Sequence, residues 1–179
     1  MNSKEKLADY VLVNRSAAKL PDLGISLISE GYDSSSLNIL AGMNEKDNVH
    51  EIIHYFDASI RELTVIIPSK IEAARILLTH YLNAIVNTPT SALKIMRIVD
   101  NQIYDSTNWV KELKISDTDY YLGEELGLHK LYSWYGELQD HEGPGLTAVY
   151  TDNSGAEHIY DLQSELIKEA QKWLDINNP

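Results

Sequence analysis

"VHEIIHYFDASIREL", residues 49–63, places its apolar side chains at intervals of three and four. The apolar positions are Val49, Ile52, Ile53, Phe56, Ile60 and Leu63. Because side chains at this spacing lie on one face of an α-helix, the stretch predicts a helix with that face in a core. Asp47, just before it, is predicted to cap the helix.

The sequence on both sides of this stretch has the same helical spacing. Upstream, Ser3 and either Asp33 or Ser34 are candidate helix caps; downstream, Ser69 and Glu72 have the spacing of a capping box. "LGLHKLYSWYGEL", residues 126–138, predicts a helix with Leu128, Leu131, Tyr132, Tyr135 and Leu138 on its buried face.

Two segments depart from the helical texture. "TVIIP", residues 64–68, is a brief β-like run that Pro68 ends. "LTAVYTDNSGAEHIY", residues 146–160, has two β-prone runs around a turn, which predicts a small β-hairpin, and Asp161 is predicted to cap a final helix. No internal repeat is evident. The sequence therefore predicts a mainly α fold, with residues 1–179 forming a single-domain helical bundle or array that carries this hairpin.

Composition and charge limit the possible functions. The 179 residues are 44% hydrophobic and 23% charged, as in an ordinary soluble protein. The absence of cysteine excludes disulfides and thiol catalysis. A formal charge of −12 disfavours nucleic acid and anionic membranes, and is compatible with a basic protein partner. With no apolar stretch resembling a signal peptide or a membrane span, the expected location is cytoplasmic.

One short motif points to metal chemistry. His50-Glu51-x-x-His54 resembles the metal-binding helix of the zincin metallopeptidases. The resemblance implies that His50 and His54 bind zinc, that Glu51 is the general base, and that Glu72 is the third ligand. Glu72 is also explained as the last residue of the Ser69 capping box, and both histidines are predicted to flank the apolar face. A zinc-dependent hydrolase or peptidase is therefore the alternative hypothesis.

An aromatic-rich zone lies between residues 120 and 135, where Tyr and Trp residues either complete a core or anchor an interface. Trp134 is the best interface candidate because it lies off the Leu131/Tyr135 face. The candidate partner-binding residues are Trp134, Tyr120 and Tyr121.

Three longer stretches carry a wider resemblance. "EGYDSSSLNILAGM", "ELTVIIPSKIEAARILL" and "LIKEAQKWL" resemble a loose group of small bacterial helical proteins of unassigned activity, which implies a soluble helical domain. The leading hypothesis is a non-enzymatic protein-interaction domain of the immunity or regulatory type. It requires no cofactor, whereas the alternative requires zinc.

Overall fold

A computed structural model describes residues 1–115, 123–142 and 153–177 of the chain. Within these ranges the regular structure is helical and there is no strand, so the predicted mainly α class is confirmed. The α-helices are α1 (Ser3–Leu12), α2 (Leu20–Ser29), α3 (Ser35–Gly42), α4 (Val49–Glu62), α5 (Lys70–Asn87), α6 (Ala92–Val99), α7 (Trp109–Leu113), α8 (His129–Glu142) and α9 (Asn153–Asn177).

The chain divides into two compact units, Met1–Leu77 and Leu78–Pro179. We call them the N-terminal unit and the C-terminal unit and describe each by itself. That residues 1–179 form one domain stays a prediction. None of the helices in the described ranges is long and apolar enough to span a membrane.

The predicted β-hairpin near residues 146–160 is wrong in its second half, which belongs to helix α9. Its first half lies mostly in residues 143–152, outside the described ranges. Helix α9 begins at Asn153, so Asp161 lies inside the helix and does not cap it. Ile159, Leu162 and Leu166 are spaced by three and four, and this helical period prevails over the short β-prone run.

Polar side chains start most of the helices of the N-terminal unit. The Ser34 hydroxyl accepts from the N–H of Leu37, as predicted. Helix α1, however, is capped by Asn2, in a capping box with Glu5, and not by Ser3. Helix α4 is capped by Asn48 and not by Asp47. Both errors amount to one residue, within the ordinary uncertainty of helix boundaries.

The N-terminal unit has one apolar core. Its buried members come from α1, the turn before α2, and helices α2, α3 and α4: Leu7, Ala17, Leu20, Leu23, Leu27, Leu37, Leu40, Ile52 and Phe56. Helices α2 and α3 approach closely at Gly24, where an added Cβ would lie 3.2 Å from the backbone nitrogen of Ala41.

The same carboxylate–serine contact occurs in two successive helix pairs of this unit. In the first pair, α1–α2, the Glu30 carboxylate accepts from the backbone N–H of Ser3 at 2.7 Å and from its hydroxyl. In the second pair, α3–α4, the Glu62 carboxylate accepts from the N–H of Ser36 at 3.1 Å and from its hydroxyl at 2.6 Å. Each second helix thus caps the first helix of its own pair.

The sequence repeats with the structure. "SKEKLA" (residues 3–8) and "SLNILA" (36–41) open the two pairs, and "SKIEAA" (69–74) opens helix α5 at the same spacing. Ser3 and Ser36 are both buried, as are Leu7 and Leu40. The expectation of no internal repeat is therefore wrong. The two helix pairs share few identical residues. What they have in common is the geometry of their hydrogen bonds.

The turns that close the two pairs are also equivalent. The N–H of Tyr32 donates to the carbonyl of Leu27 at 3.1 Å, and the N–H of Val65 donates to the carbonyl of Ile60 at 3.1 Å. Gly31 and Thr64 hold the equivalent left-handed positions, with φ of +91° and +52°. Glycine is the usual residue at such a helix end, whereas a β-branched residue there is strained.

The C-terminal unit packs helix α8 against α9 and α6. Leu128, Leu131, Tyr132, Tyr135 and Leu138 are all buried, so the face predicted for residues 126–138 is confirmed. Buried Trp173 of α9 donates from Nε1 to the carbonyl of Leu126 at 2.9 Å. A π-helical turn, Asp100–Tyr104, follows α6 directly.

Candidate functional site

The His50-Glu51-x-x-His54 motif lies on the outer side of the first turns of helix α4. The Asn48 side-chain oxygen accepts from the N–H of His50 at 2.9 Å and fixes the start of the helix. The side chains of His50, Glu51 and His54 are all exposed. The two imidazoles are one helical turn apart on this surface, with no other metal-ligating group gathered around them in the described ranges.

The buried face of helix α4 is narrower than its apolar spacing predicts. Ile52 and Phe56 are buried, but Val49 is 52% exposed and Ile53 37% exposed. Ser59 completes the buried face, and its hydroxyl donates to the carbonyl of Tyr55 at 2.6 Å. The hydroxyl therefore keeps a partner inside the core, while two apolar residues remain at the surface.

Glu72, the third ligand under the zinc hypothesis, is engaged elsewhere. Its Oε2 accepts from the N–H of Ser69 at 2.8 Å and from the Ser69 hydroxyl at 2.7 Å. The reciprocal bond, from the N–H of Glu72 to the Ser69 hydroxyl, measures 3.4 Å, as the predicted capping box requires. The hydrogen bonds from Ser69 lower the pKa of Glu72.

No three His, Asp or Glu side chains in the described ranges are arranged to hold a metal ion. His50, His54 and Glu72 all lie within those ranges, so their arrangement is not that of a zinc centre. A catalytic zinc site uses three protein ligands that converge about 2 Å from the metal. The geometry therefore lends no support to the roles that the zincin resemblance implies.

The aromatic residues around helix α8 are mostly structural. Tyr132 donates from its hydroxyl to Asp100 Oδ1 at 3.0 Å, and its ring contacts Tyr104 and Tyr135. Burial, followed by the nearby Asp100 carboxylate, raises the pKa of Tyr132. Tyr132 thus ties helix α8 to the π-helical turn as a neutral hydrogen-bond donor.

Trp134 differs from these aromatics because it is only half-buried. It keeps part of its ring available on the surface of helix α8, whereas Trp109 is buried and donates from Nε1 to the carbonyl of Tyr104 at 3.0 Å. Tyr120 and Tyr121 lie outside the described residues. Of the three predicted partner-binding residues, the structure thus describes only Trp134.

The two units differ in charge. The N-terminal unit contains 11 acidic and 8 basic residues, for a formal charge of −3. The C-terminal unit contains 16 acidic and 7 basic residues, for a formal charge of −9. Most of the net charge of −12 therefore belongs to one unit, a division that the whole-chain composition conceals.

The exposed apolar side chains, in contrast to the negative charge, belong mostly to the N-terminal unit. Among the described residues, 9 of the 11 large exposed hydrophobic side chains belong to the N-terminal unit. The most exposed of them is Ile66, at 86%, followed along the chain by Ile67 at 45%. The sequence predicts a brief β-like run over residues 64–68, but the structure has no strand there. The exposure of Ile66 and Ile67 was not predicted, because a short apolar run before a proline is equally typical of a buried strand.

No family model, curated protein or solved structure matches the chain. The candidate surfaces are therefore judged on their own geometry and charge.

Proposed function

We propose that the protein acts without catalysis by binding a basic protein partner, in the manner of an immunity or regulatory protein, and that the partner contacts its C-terminal unit. The observation that carries the proposal is the charge of that unit, 16 acidic against 7 basic residues. A surface with such an excess attracts a basic partner at long range and raises the rate of productive encounters.

Some of this charge is neutralised locally and some is not. On helix α9, Lys168 lies 2.5 Å from Glu165 and Lys172 lies 2.6 Å from Glu169, so these carboxylates have cations beside them. Glu137, Asp140 and Asp161 are exposed, and no ion pair to them occurs within the described ranges, although Asp161, after Glu165, contributes to raising the pKa of Lys168. These three carboxylates are available to a partner's lysines and arginines.

Trp134 supplies the apolar part of the proposed contact. Half-buried tryptophan contributes a large rigid area at little entropic cost, and tryptophan is enriched among residues that dominate binding energy. Tyr120 and Tyr121 remain in the proposal as neighbours in sequence. A cytoplasmic location, and the absence of nucleic-acid and membrane binding, belong to the same proposal because the net charge disfavours both anionic partners.

Two charge-matched triple variants test the proposal. Glu137→Gln, Asp140→Asn and Asp161→Asn remove three charges from the C-terminal unit. Glu45→Gln, Glu51→Gln and Asp57→Asn remove three from exposed sites of the N-terminal unit. Tagged wild type and both variants are used to capture proteins from the source cells, and every captured protein is purified and titrated individually. We expect a basic protein whose binding only the C-terminal variant weakens.

A further inference from the structure

A hollow of about 200 Å³ lies between helix α1 and the start of helix α2, within the N-terminal unit. Its apolar lining comes from Leu20 and Leu23, which are buried in the core of the unit, and from half-buried Tyr10. Pockets for drug-sized molecules measure about 300–1,000 Å³. The hollow is smaller than these and has the size of a pocket for a molecule such as an amino acid.

Two ion pairs border the apolar lining of the hollow. Lys6 Nζ lies 2.6 Å from Asp22 Oδ2, and all four residues of the two pairs line the hollow. In the second pair, Lys19 Nζ lies 3.4 Å from Asp9 Oδ2. Solvent-accessible ion pairs contribute little to stability, so joining helix α1 to helix α2 does not by itself explain four charged side chains around one hollow.

The helix-pair repeat does not require these charges. In the second helix pair, 33 residues further on, the four corresponding residues are uncharged: Ile39, Gly42, Ile52 and Tyr55. Ser26 corresponds to Ser59, and both hydroxyls donate to the backbone carbonyl four residues earlier. The two pairs thus share their backbone contacts, whereas the charged border belongs to the first pair alone.

The four charged residues divide into an inner and an outer set. The inner side chains, Lys6 and Asp9, are 26% and 15% exposed, and Lys6 also donates to Ser26 at 2.7 Å. The outer side chains, Asp22 and Lys19, are 67% and 56% exposed, and each has one ionic partner in the described ranges. An ammonium group has three donors and a carboxylate about four acceptor sites. The two outer residues can therefore each bind a further charged group.

The spacing of the outer residues suits a ligand that carries both charges. Lys19 and Asp22 are three residues apart where the first helical turns lead into helix α2. Their Cβ atoms are therefore about 5–6 Å apart on one face. An ammonium and a carboxylate that share one carbon atom can reach both side chains at once.

We propose that the hollow binds a free amino acid with an apolar side chain. Asp22 binds its ammonium group, Lys19 binds its carboxylate, and its side chain lies on Leu20, Leu23 and Tyr10. The inner residues hold the two binding groups in position. Only a free amino acid has both charges on one carbon atom, so a peptide terminus would satisfy one of the two outer residues and not the other.

Two-dimensional NMR of the full chain, titrated separately with L-valine, L-leucine and L-phenylalanine, tests the proposal. We expect at least one of them to shift the amide signals of the hollow, with a dissociation constant of about 0.1–1 mM. The N-acetylated form lacks the ammonium group and the amide form lacks the carboxylate, so each should bind at least tenfold more weakly. Equal binding of the blocked forms, or no shift with any of the three at about 10 mM, would overturn the proposal.

The double variant Lys19→Gln/Asp22→Asn removes both outer charges and leaves the net charge unchanged. Lys46→Gln/Asp57→Asn is the matched control, since both residues are exposed in the same unit and neither lines the hollow. We expect binding to weaken at least tenfold in the first variant and to persist in the control. Urea unfolding verifies that both fold. An amino acid that binds equally to the two double variants would show that the outer charges do not form the site.

Discussion

Gly31 and Thr64 occupy the same position in two successive turns, 33 residues apart, and both are left-handed, with φ of +91° and +52°. The hydrogen bonds around them correspond residue by residue. One turn is built with the residue that tolerates this backbone, and the other with a residue that does not. Substitutions at Gly31 and Thr64 therefore test whether the two turns of the helix-pair repeat are equivalent.

Replacing Gly31 by alanine should destabilise the N-terminal unit by about 1 kcal/mol. A Cβ at Gly31 meets nothing within 4 Å, so the cost is backbone strain alone. Gly42→Ala is the control, because a Cβ there also meets nothing, and Gly42 is the last residue of helix α3 without a positive φ. Urea unfolding should show a loss for Gly31→Ala only; equal effects would remove strain as the cause.

Replacing Thr64 by glycine should stabilise the protein by about 0.5–1 kcal/mol, because glycine relieves the left-handed strain. Thr90→Gly is the control, since Thr90 is exposed and lacks a positive φ. Thermal unfolding measures both variants. A Thr64→Gly variant that is as destabilised as Thr90→Gly would show that the turn after helix α4 does not store this strain.

The two carboxylate–serine contacts should make stability depend on acidity. The Ser3 hydroxyl lowers the pKa of Glu30, and the Ser36 hydroxyl lowers that of Glu62. Because both pKa values are lower in the folded state, the contribution is present above the ordinary glutamate pKa of about 4.3 and is lost as pH falls below it.

The double variant Glu30→Gln/Glu62→Gln should be less stable at pH 7 and should lose less stability between pH 7 and about pH 3. Glu45→Gln/Glu51→Gln, at two exposed positions, is the control for the change in net charge. Melting temperatures across this range measure the difference. If the double variant and the control have the same pH profile, the contacts do not contribute as described.

Zinc should not bind stoichiometrically at the His50-Glu51-x-x-His54 motif, because Glu72 is held by Ser69 and two exposed histidines make an incomplete site. Metal analysis of protein purified without chelators measures this. Glu72→Gln should lower stability by weakening the helix cap, without changing zinc affinity. Stoichiometric zinc that is lost in both His54→Ala and Glu72→Gln would instead restore the hydrolase hypothesis.

Local signals in the sequence predicted local structure well. The Ser69–Glu72 capping box and the Ser34 cap depend on residues three apart, and the face of helix α8 depends on a single period. The spacing of apolar residues predicted which side of helix α4 is buried, but not how many residues on that side are covered. Whether Val49 and Ile53 are covered depends on neighbouring elements, which no local pattern specifies.

The repeat was harder to find than the helices that compose it. Its clearest mark is the contact of Glu30 with Ser3 and of Glu62 with Ser36, over 27 and 26 residues. The two separations differ by one, so the acidic residues do not align at a fixed spacing. The division of charge between the units also depends on a boundary, after Leu77, that the sequence does not mark.

The decisive measurement for partner binding by the acidic C-terminal unit is the salt dependence of binding to the captured basic partner, with wild type and the two charge-matched triple variants compared by titration. Wild-type affinity should fall steeply with added salt, because exposed charges are screened within about 10 Å at 0.1 M. The C-terminal variant should bind more weakly with a shallower dependence, and the N-terminal variant should match wild type. Equal weakening in both variants, or an affinity that salt does not change, would contradict a partner-binding role for the acidic C-terminal unit.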